Sequence, residues 1–252
     1  MLPIERREEI LRRLMQEGRV LVGELAEHYG VTEETIRRDL EKLEADGYAK
    51  KTYGGAVRND SMTSELPYTV RKQTNVSGKK YIGERIGALI SDGDSVLLDS
   101  STTALFTVRS IASKKKLTII SNSVEVLLEV PQGSDWNVIS TGGTYHGESM
   151  SFYGTPAEDV IRKYHADYAI MSCKGLHPEK GITDTRECFA ELKKSFLQSA
   201  RKVILAIDHT KLDQISFVRI GDLDAIDAVV TDLEPDERWK TLFAEKHIEL
   251  YY

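Results

Sequence analysis

VTEETIRRDLEKLEADG, residues 31–47, is the stretch whose reading decides the fold. Thr32 suits a helix N-cap, and Glu33 and Glu34 follow in the first turn, where carboxylates complement the helix dipole. Ile36, Leu40 and Leu43 recur at i, i+4 and i+7, so one stripe faces a core. The opposite face is left to Thr35, Arg38 and Lys42, with Arg37 at its edge, and Gly47 ends the helix. Taken alone, those cations read as solvated partners of Glu33, Glu34 and Asp39 at helical spacing. Their surroundings give them a second reading.

Upstream, IERREEILRRLMQ (4–16) places Ile4, Arg7, Ile10, Leu11 and Leu14 at helical spacing, and Gly18 stops that helix. VGELAEHY (22–29) predicts a second helix burying Leu25, Ala26 and Tyr29, with Gly30 as its C-terminal cap. Downstream, YAKKTY (48–53) reads as a strand, and Gly54-Gly55 permits a turn into Ala56-Val57-Arg58. Three short helices and a hairpin make a winged helix-turn-helix, expected to occupy residues 1–58. Its third helix fits a major groove, where Arg can donate two hydrogen bonds to guanine. Threonine hydroxyls and the free N–H groups of the first turn suit phosphate oxygens, and Lys50, Lys51 and Arg58 add cations on the wing. The chain carries 34 Lys and Arg against 40 Asp and Glu, a net charge of -6. Screening makes the local field decide, so that total does not exclude double-stranded DNA as partner.

Residues 59–65 (NDSMTSE) are polar and without period, the expected linker to a second domain at 66–252. There a helix from about 67 to 90 is expected, then apolar strands at 95–99, 117–121, 137–141, 168–173, 203–208, 226–231 and 248–252, with helical patterns between most of them. The fold class is α/β: a Rossmann-like, mainly parallel sheet covered on both faces. Ligands of such sheets bind beyond the carboxyl ends of the strands. At those ends stand Asp99 with Ser100, Ser101, Thr102 and Thr103, then Asn122, then Thr141-Gly142-Gly143, and Lys211. Hydroxyls at a helix N-terminus and a nearby cation suit a small anionic effector. Each motif alone is also a good strand-to-helix turn; four at successive strand ends favour a pocket.

Other chemistry is thin. The six histidines and two cysteines lack metal-ligand spacing, and Ser100 lacks a nucleophile elbow, so no metal, cofactor or catalytic residue is expected. No window is apolar enough for a membrane span and the N-terminus is charged, so a cytoplasmic protein is expected.

Residues 6–57 resemble the N-terminal domain of the DeoR family of bacterial transcriptional regulators, through RREEIL, LAEHYGVTEETIRRDLEKLEADG and YGGAV. SDGDSVLLDSSTT, ISNS, STGGTYHGESMSFYG and ILAIDHTKL resemble the sensor domain of the same family, whose fold is shared with ribose-5-phosphate isomerase. The resemblance implies DNA contacts at Thr32, Thr35, Arg37 and Arg38, a structural role for Asp39 beside a cation, and a sugar phosphate or related metabolite as effector. Two positions depart from the pattern. Ser101 stands where the family usually has Gly, and Lys174 stands near a position that is often acidic; Lys174 is a candidate to recognise an anion, or a solvated neighbour of Glu179, and the missing acid argues against catalysis. Glu187 is a candidate effector contact or a helix-dipole partner. The expectation is a repressor of a carbohydrate-utilisation operon, acting as a homo-oligomer (dimer or tetramer). The alternatives are a sugar-phosphate isomerase with a fused helical domain, and a winged helix that docks protein.

Overall fold

The computed structural model describes residues 1–59 and 66–252, and the chain divides into two compact units, Met1–Thr74 and Asn75–Tyr252. All of the expected linker except Asn59 lies outside the described residues.

The first unit runs α1 (Pro3–Glu17), β1 (Arg19–Leu21), α2 (Val22–Tyr29), α3 (Glu33–Ala45), β2 (Ala49–Thr52), β3 (Gly55–Arg58) and α4 (Tyr68–Gln73). The three strands form an antiparallel sheet in the order β1-β3-β2. Thr32 caps α3 as its sequence position suggests, accepting from the Thr35 N–H at 3.3 Å. Ile36, Leu40 and Leu43 point into one core with Ile10, Leu11, Leu14 and Leu25. Ile4 departs from expectation: it lies on the α1 stripe but is 59% exposed, because in the first turn the stripe outruns the core. On α2 only Val22 and Leu25 are fully buried, while Ala26 and Tyr29 are half-buried.

The division between units falls later than the sequence suggests. Val70 on α4 is buried in the first unit's core, and Thr69 donates to Glu8 at 3.2 Å, so residues 66–74 belong with the first unit. The single helix expected over 67–90 is two. Asn75 breaks it with a left-handed φ of 47° and caps the second piece by accepting from the Gly78 N–H. Asn tolerates that conformation better than most side chains, and its short amide satisfies a free first-turn N–H.

The second unit runs α5 (Val76–Gly87), β4 (Ser95–Leu98), α6 (Thr102–Ser110), β5 (Thr118–Ser121), α7 (Val124–Glu129), β6 (Asn137–Ser140), β7 (Thr144–His146), β8 (Ser151–Tyr153) and α8 (Thr155–Arg162). It continues with β9 (Ala166–Met171), β10 (Gly175–His177), β11 (Gly181–Asp184), α9 (Glu187–Gln198), β12 (Ala200–Ala206), β13 (Val218–Gly221), β14 (Ala228–Val230), α10 (Glu237–Glu245) and β15 (Glu249–Tyr251). The seven strands read from the sequence form one sheet, order β15-β14-β12-β9-β4-β5-β6, with every neighbouring pair parallel. Alternate residues serve opposite faces: Leu97 joins the cluster containing Phe196 and Trp239, while Val96 and Leu98 join the cluster containing Ile82 and Ile86. The hairpin β7–β8 and the small antiparallel sheet β10-β11-β13 are additional to the expected strands; segments of three or four residues carry too little period to be read. From β4 the chain builds outward to β6, then returns to β9 on the other side of β4. The order reverses between β4 and β9, and open parallel sheets as a class bind ligands beyond the carboxyl ends of the strands at such a point.

Candidate nucleic-acid interface and effector crevice

On α3 the face opposite the core carries Arg37 and Arg38, both exposed, with Thr35 half-buried at its head. Thr32 and Thr35 share a hydroxyl contact of 2.9 Å. Arg37 pairs with Glu33 at 2.7 Å and Arg38 with Glu34 at 3.2 Å, the pairing the plain reading of the charges anticipates. Exposed pairs of this spacing contribute only about 0.3–0.5 kcal/mol and are screened by salt. The Arg38 side chain is 74% exposed, so giving up Glu34 for a more demanding acceptor costs little. Lys42, Lys50 and Arg58 are exposed. Lys51 is engaged: its ammonium pairs with Glu41 at 2.9 Å and its N–H donates to Glu44 at 2.8 Å, which braces the wing against α3. The hydrogen bond from the Lys51 ammonium holds the Glu41 carboxyl below its ordinary pKa. Asp39 does face cations: Arg6 lies 2.6 Å away and Arg7 3.6 Å.

In the second unit Asp99 directly follows β4 and is buried. One carboxylate oxygen accepts the Ser101 N–H at 3.0 Å; the other accepts the Ser172 N–H, also at 3.0 Å, across the point where strand order reverses. The second oxygen stands 3.6 Å from the Lys193 ammonium, which bonds Asp184 at 2.6 Å. Burial pulls the lysine pKa down, but the two carboxylates outweigh it and hold Lys193 above its ordinary value. Beside them, burial pushes the Cys173 thiol up to about 12, against the opposing field of Lys193 and Lys211.

Ser101 caps α6, accepting from the Ala104 N–H at 3.0 Å, with Thr102 and Thr103 buried and Ser100 half-buried around the helix start. Asn122, at the end of β5, donates to the Phe152 carbonyl at 3.0 Å, and its buried Oδ1 has no partner among the described residues. Thr141 directly follows β6, its N–H donating to the Ser121 carbonyl. Gly142 and Gly143 then take φ of 59° and 109°, and a Cβ on Gly143 would stand 2.7 Å from the Tyr153 carbonyl. Lys174 is half-buried just past β9, and its N–H donates to Thr183. These residues gather at the strand ends; Glu187 instead stands exposed at the first position of α9.

Lys193 and Asp184 escape the sequence reading. Their signal was present: Lys193 lies on the buried stripe of α9 between Phe189 and Phe196, a poor place for an ammonium without partners. A second group also goes unread. Asp232 accepts from Asn75 Nδ2 at 2.8 Å, from the His209 N–H at 2.7 Å, and faces His209 Nδ1 at 3.1 Å. Burial raises its pKa, but these hydrogen bonds win and hold it below the ordinary carboxylate value. Asp232 therefore ties Asn75, the residue that opens the second unit, to the loop carrying Asp208 and Lys211.

No helix among the described residues is long and apolar enough to cross a membrane. Residues 6–62 match a family profile described as a DeoR-like helix-turn-helix domain, and residues 74–233 match the DeoR C terminal sensor domain. The HTH-type transcriptional regulator YulB of Bacillus subtilis, itself uncharacterised, is 36% identical over 232 residues, 92% of this chain and 90% of its own length. The L-fucose operon activator of Haemophilus influenzae is 30% identical, covering 96% of each chain. The glycerol-3-phosphate regulon repressor of Escherichia coli is 26% identical, covering 98% of this chain and 97% of its own. Among solved structures, ribose 5-phosphate isomerase from Methanocaldococcus jannaschii overlaps 53% of each chain at 15% identity, with a TM-score of 0.38.

Proposed function

Because this chain belongs to the DeoR family of DNA-binding transcriptional regulators, we propose that it represses a carbohydrate-utilisation operon until a phosphorylated sugar binds its second unit. It is a regulator, as its relatives are, and not an enzyme. The observation that carries the effector half is the buried Asp99–Lys193–Asp184 network set beside the start of α6. Buried ionised groups are costly unless paired, and strongly perturbed titratable groups such as Lys193 cluster at functional sites. Carboxylates and the orphan Asn122 Oδ1 accept from sugar hydroxyls. The hydroxyls of Ser100, Ser101, Thr102 and Thr103 and the first-turn N–H groups of α6, with Lys211, suit a phosphate. Thr141, Gly142 and Gly143 line the next strand end, with Lys174 and Glu187 at the margins.

On the DNA side Thr32, Thr35, Arg37, Arg38 and Lys42 meet the major groove, with Lys50 and Arg58 on the flanking backbone and Lys51 contributing through its brace. One such unit covers little surface, so two copies of the chain reading two half-sites are required. Effector lowers operator affinity only by binding the two states of the protein unequally. Asp232 is the transmitting group, since it grips both the crevice loop at His209 and the first residue after the reading unit. A site of action on operator DNA places the protein in the cytoplasm.

Two measurements test this. Phosphorylated sugars, and not their unphosphorylated parents, should raise the melting temperature of the full chain, as any ligand specific for the folded state must. Arg38→Ala should weaken operator binding without changing that melting shift. Operator affinity equal to wild type would refute the groove assignment.

A further inference from the structure

The seven-stranded sheet ends in two edges of unlike chemistry. At β15 the edge is guarded by charge: Glu249 binds the Lys202 ammonium at 2.6 Å, and Arg85 donates to the Tyr252 carbonyl just past the strand. β6 has no such guard. From Trp136 to Tyr145 the chain carries no charged residue and no proline, the devices that keep an open strand from pairing with another chain.

β6 pairs with β5, and the Asn137 and Thr141 N–H groups donate to the Leu117 and Ser121 carbonyls on that side. Alternation along the strand therefore turns the N–H and C=O groups of Val138 and Ser140 outward. No other backbone bond found among the described residues reaches them, and both residues are exposed.

The helix beside this edge is apolar as well. Val138 pairs with Ile119, whose side chain shares a cluster with Val126 of α7, so Val138 lies on the face that α7 covers. Val126 is buried, and Glu129 is turned toward α6 by Arg109, which donates to both carboxylate oxygens at 2.9 Å. At about 3.6 residues per turn, Leu127 falls on the opposite flank, with Val124 and Leu128 next to it. That flank overlooks β6. Leu128 is 75% exposed and Val138 37%, while Val124 and Leu127 are half-buried. Strand edge and helix flank form one uncharged seam on a chain whose net charge is -6. Two such chains repel elsewhere and can meet here without bringing like charges together.

We propose that β6 pairs antiparallel with β6 of a second copy of this chain, joining two sheets into one across a two-fold axis. The proposal rests on the reading that two copies serve two half-sites, and it says where they join. A two-fold is the symmetry that lets one edge complement itself. The register that uses every outward group runs the axis through Ile139, with Val138 opposite the partner's Ser140 and each such pair exchanging both N–H···O bonds. α7 then packs on α7 of the second copy, covering Leu127 and Leu128. The two copies of residue 138 become diagonal neighbours, within reach of long side chains.

The test uses the full chain in sedimentation velocity and amide exchange. In wild type, exchange of the peptide covering Val138 and Ser140 should slow as concentration rises through the dissociation constant of the pair. Val138→Asp and Val138→Lys should each weaken self-association about 100-fold, because like charges meet across the axis. Mixed in equal amounts, the two variants should recover a heterodimer at concentrations where each alone is monomeric. Phe217→Lys puts the same charge on an exposed apolar site elsewhere in the second unit and should associate like wild type. A wild type that self-associates while exchange at Val138 and Ser140 ignores concentration overturns the proposal without any variant. So does wild-type association in Val138→Asp, a mixture whose members stay apart, or dissociation by Phe217→Lys alone. A wild type that is monomeric at tens of micromolar, yet occupies a duplex selected from a random-sequence pool as two copies, removes only this proposal. A single copy on every selected duplex removes the two-copy reading as well.

Discussion

Replacing Asp39 with alanine isolates the force that seats the recognition helix. The Arg6 side chain is 9% exposed and that of Asp39 is 5%, with the guanidinium 2.6 Å from the carboxylate and Arg7 at 3.6 Å on the other oxygen. Removing one partner of a buried pair strands the other charge away from water, at a cost of about 3–5 kcal/mol. Three kcal/mol corresponds to roughly a 150-fold change in an opening equilibrium. Both tryptophans, Trp136 and Trp239, lie in the second unit, so their fluorescence is blind to this event. Amide exchange of peptides covering α3 is the suitable assay, and protection there should fall by about two orders of magnitude in Asp39→Ala. The double variant Arg6→Met with Asp39→Leu should recover most of it, because apolar replacement of both partners leaves no stranded charge. Protection in Asp39→Ala within a factor of three of wild type would refute the reasoning. So would a double variant as open as the single one.

Lys193→Met leaves the buried Asp99 and Asp184 carboxylates without the cation that lies between them, so the variant should melt well below wild type at pH 7, and an unchanged melting temperature would count against the network. Asp232 has a pKa held below the ordinary 3.8, so it stabilises above that value and the contribution is lost as pH falls through the folded value; Asp232→Asn should show a shallower acid limb in thermal unfolding. Cys173, pushed up to about 12 and buried, should resist a thiol reagent at pH 8 until denaturant is added, while half-buried Cys188, raised by burial to a smaller extent, should label first. Gly55→Ala should destabilise the first unit strongly, seen as lost α3 and wing protection, because backbone atoms of Val20 and Leu21 occupy the space.

The legible parts of the molecule were those whose signal is local and periodic. Ile36, Leu40 and Leu43 mark one helix face within a single stretch, and Thr32 marks where it starts. The seven sheet strands were each readable as apolar runs, although β9 and β12 begin earlier than their apolar residues suggest, at Ala166 and Ala200. The residues proposed for the effector were legible because the ends of β4, β5 and β6 carry the Ser, Thr, Asn or Gly that a turn there favours. Asn75 shows where local reading stops. A helix-compatible stretch is broken because the amide side chain is held by Asp232, 157 positions away, and no window of sequence contains that fact.

By itself the sequence determined that a three-helix reading head precedes a parallel α/β unit, and which face of α3 is left open. Those features follow from side-chain period and backbone preference, which act over a few residues. Tertiary structure alone decided that Lys193 joins Asp99 to Asp184, that Lys51 serves as a brace and that α4 belongs to the first unit. Each of those depends on which distant groups meet once water is excluded, and burial then sets the energy of every charge among them.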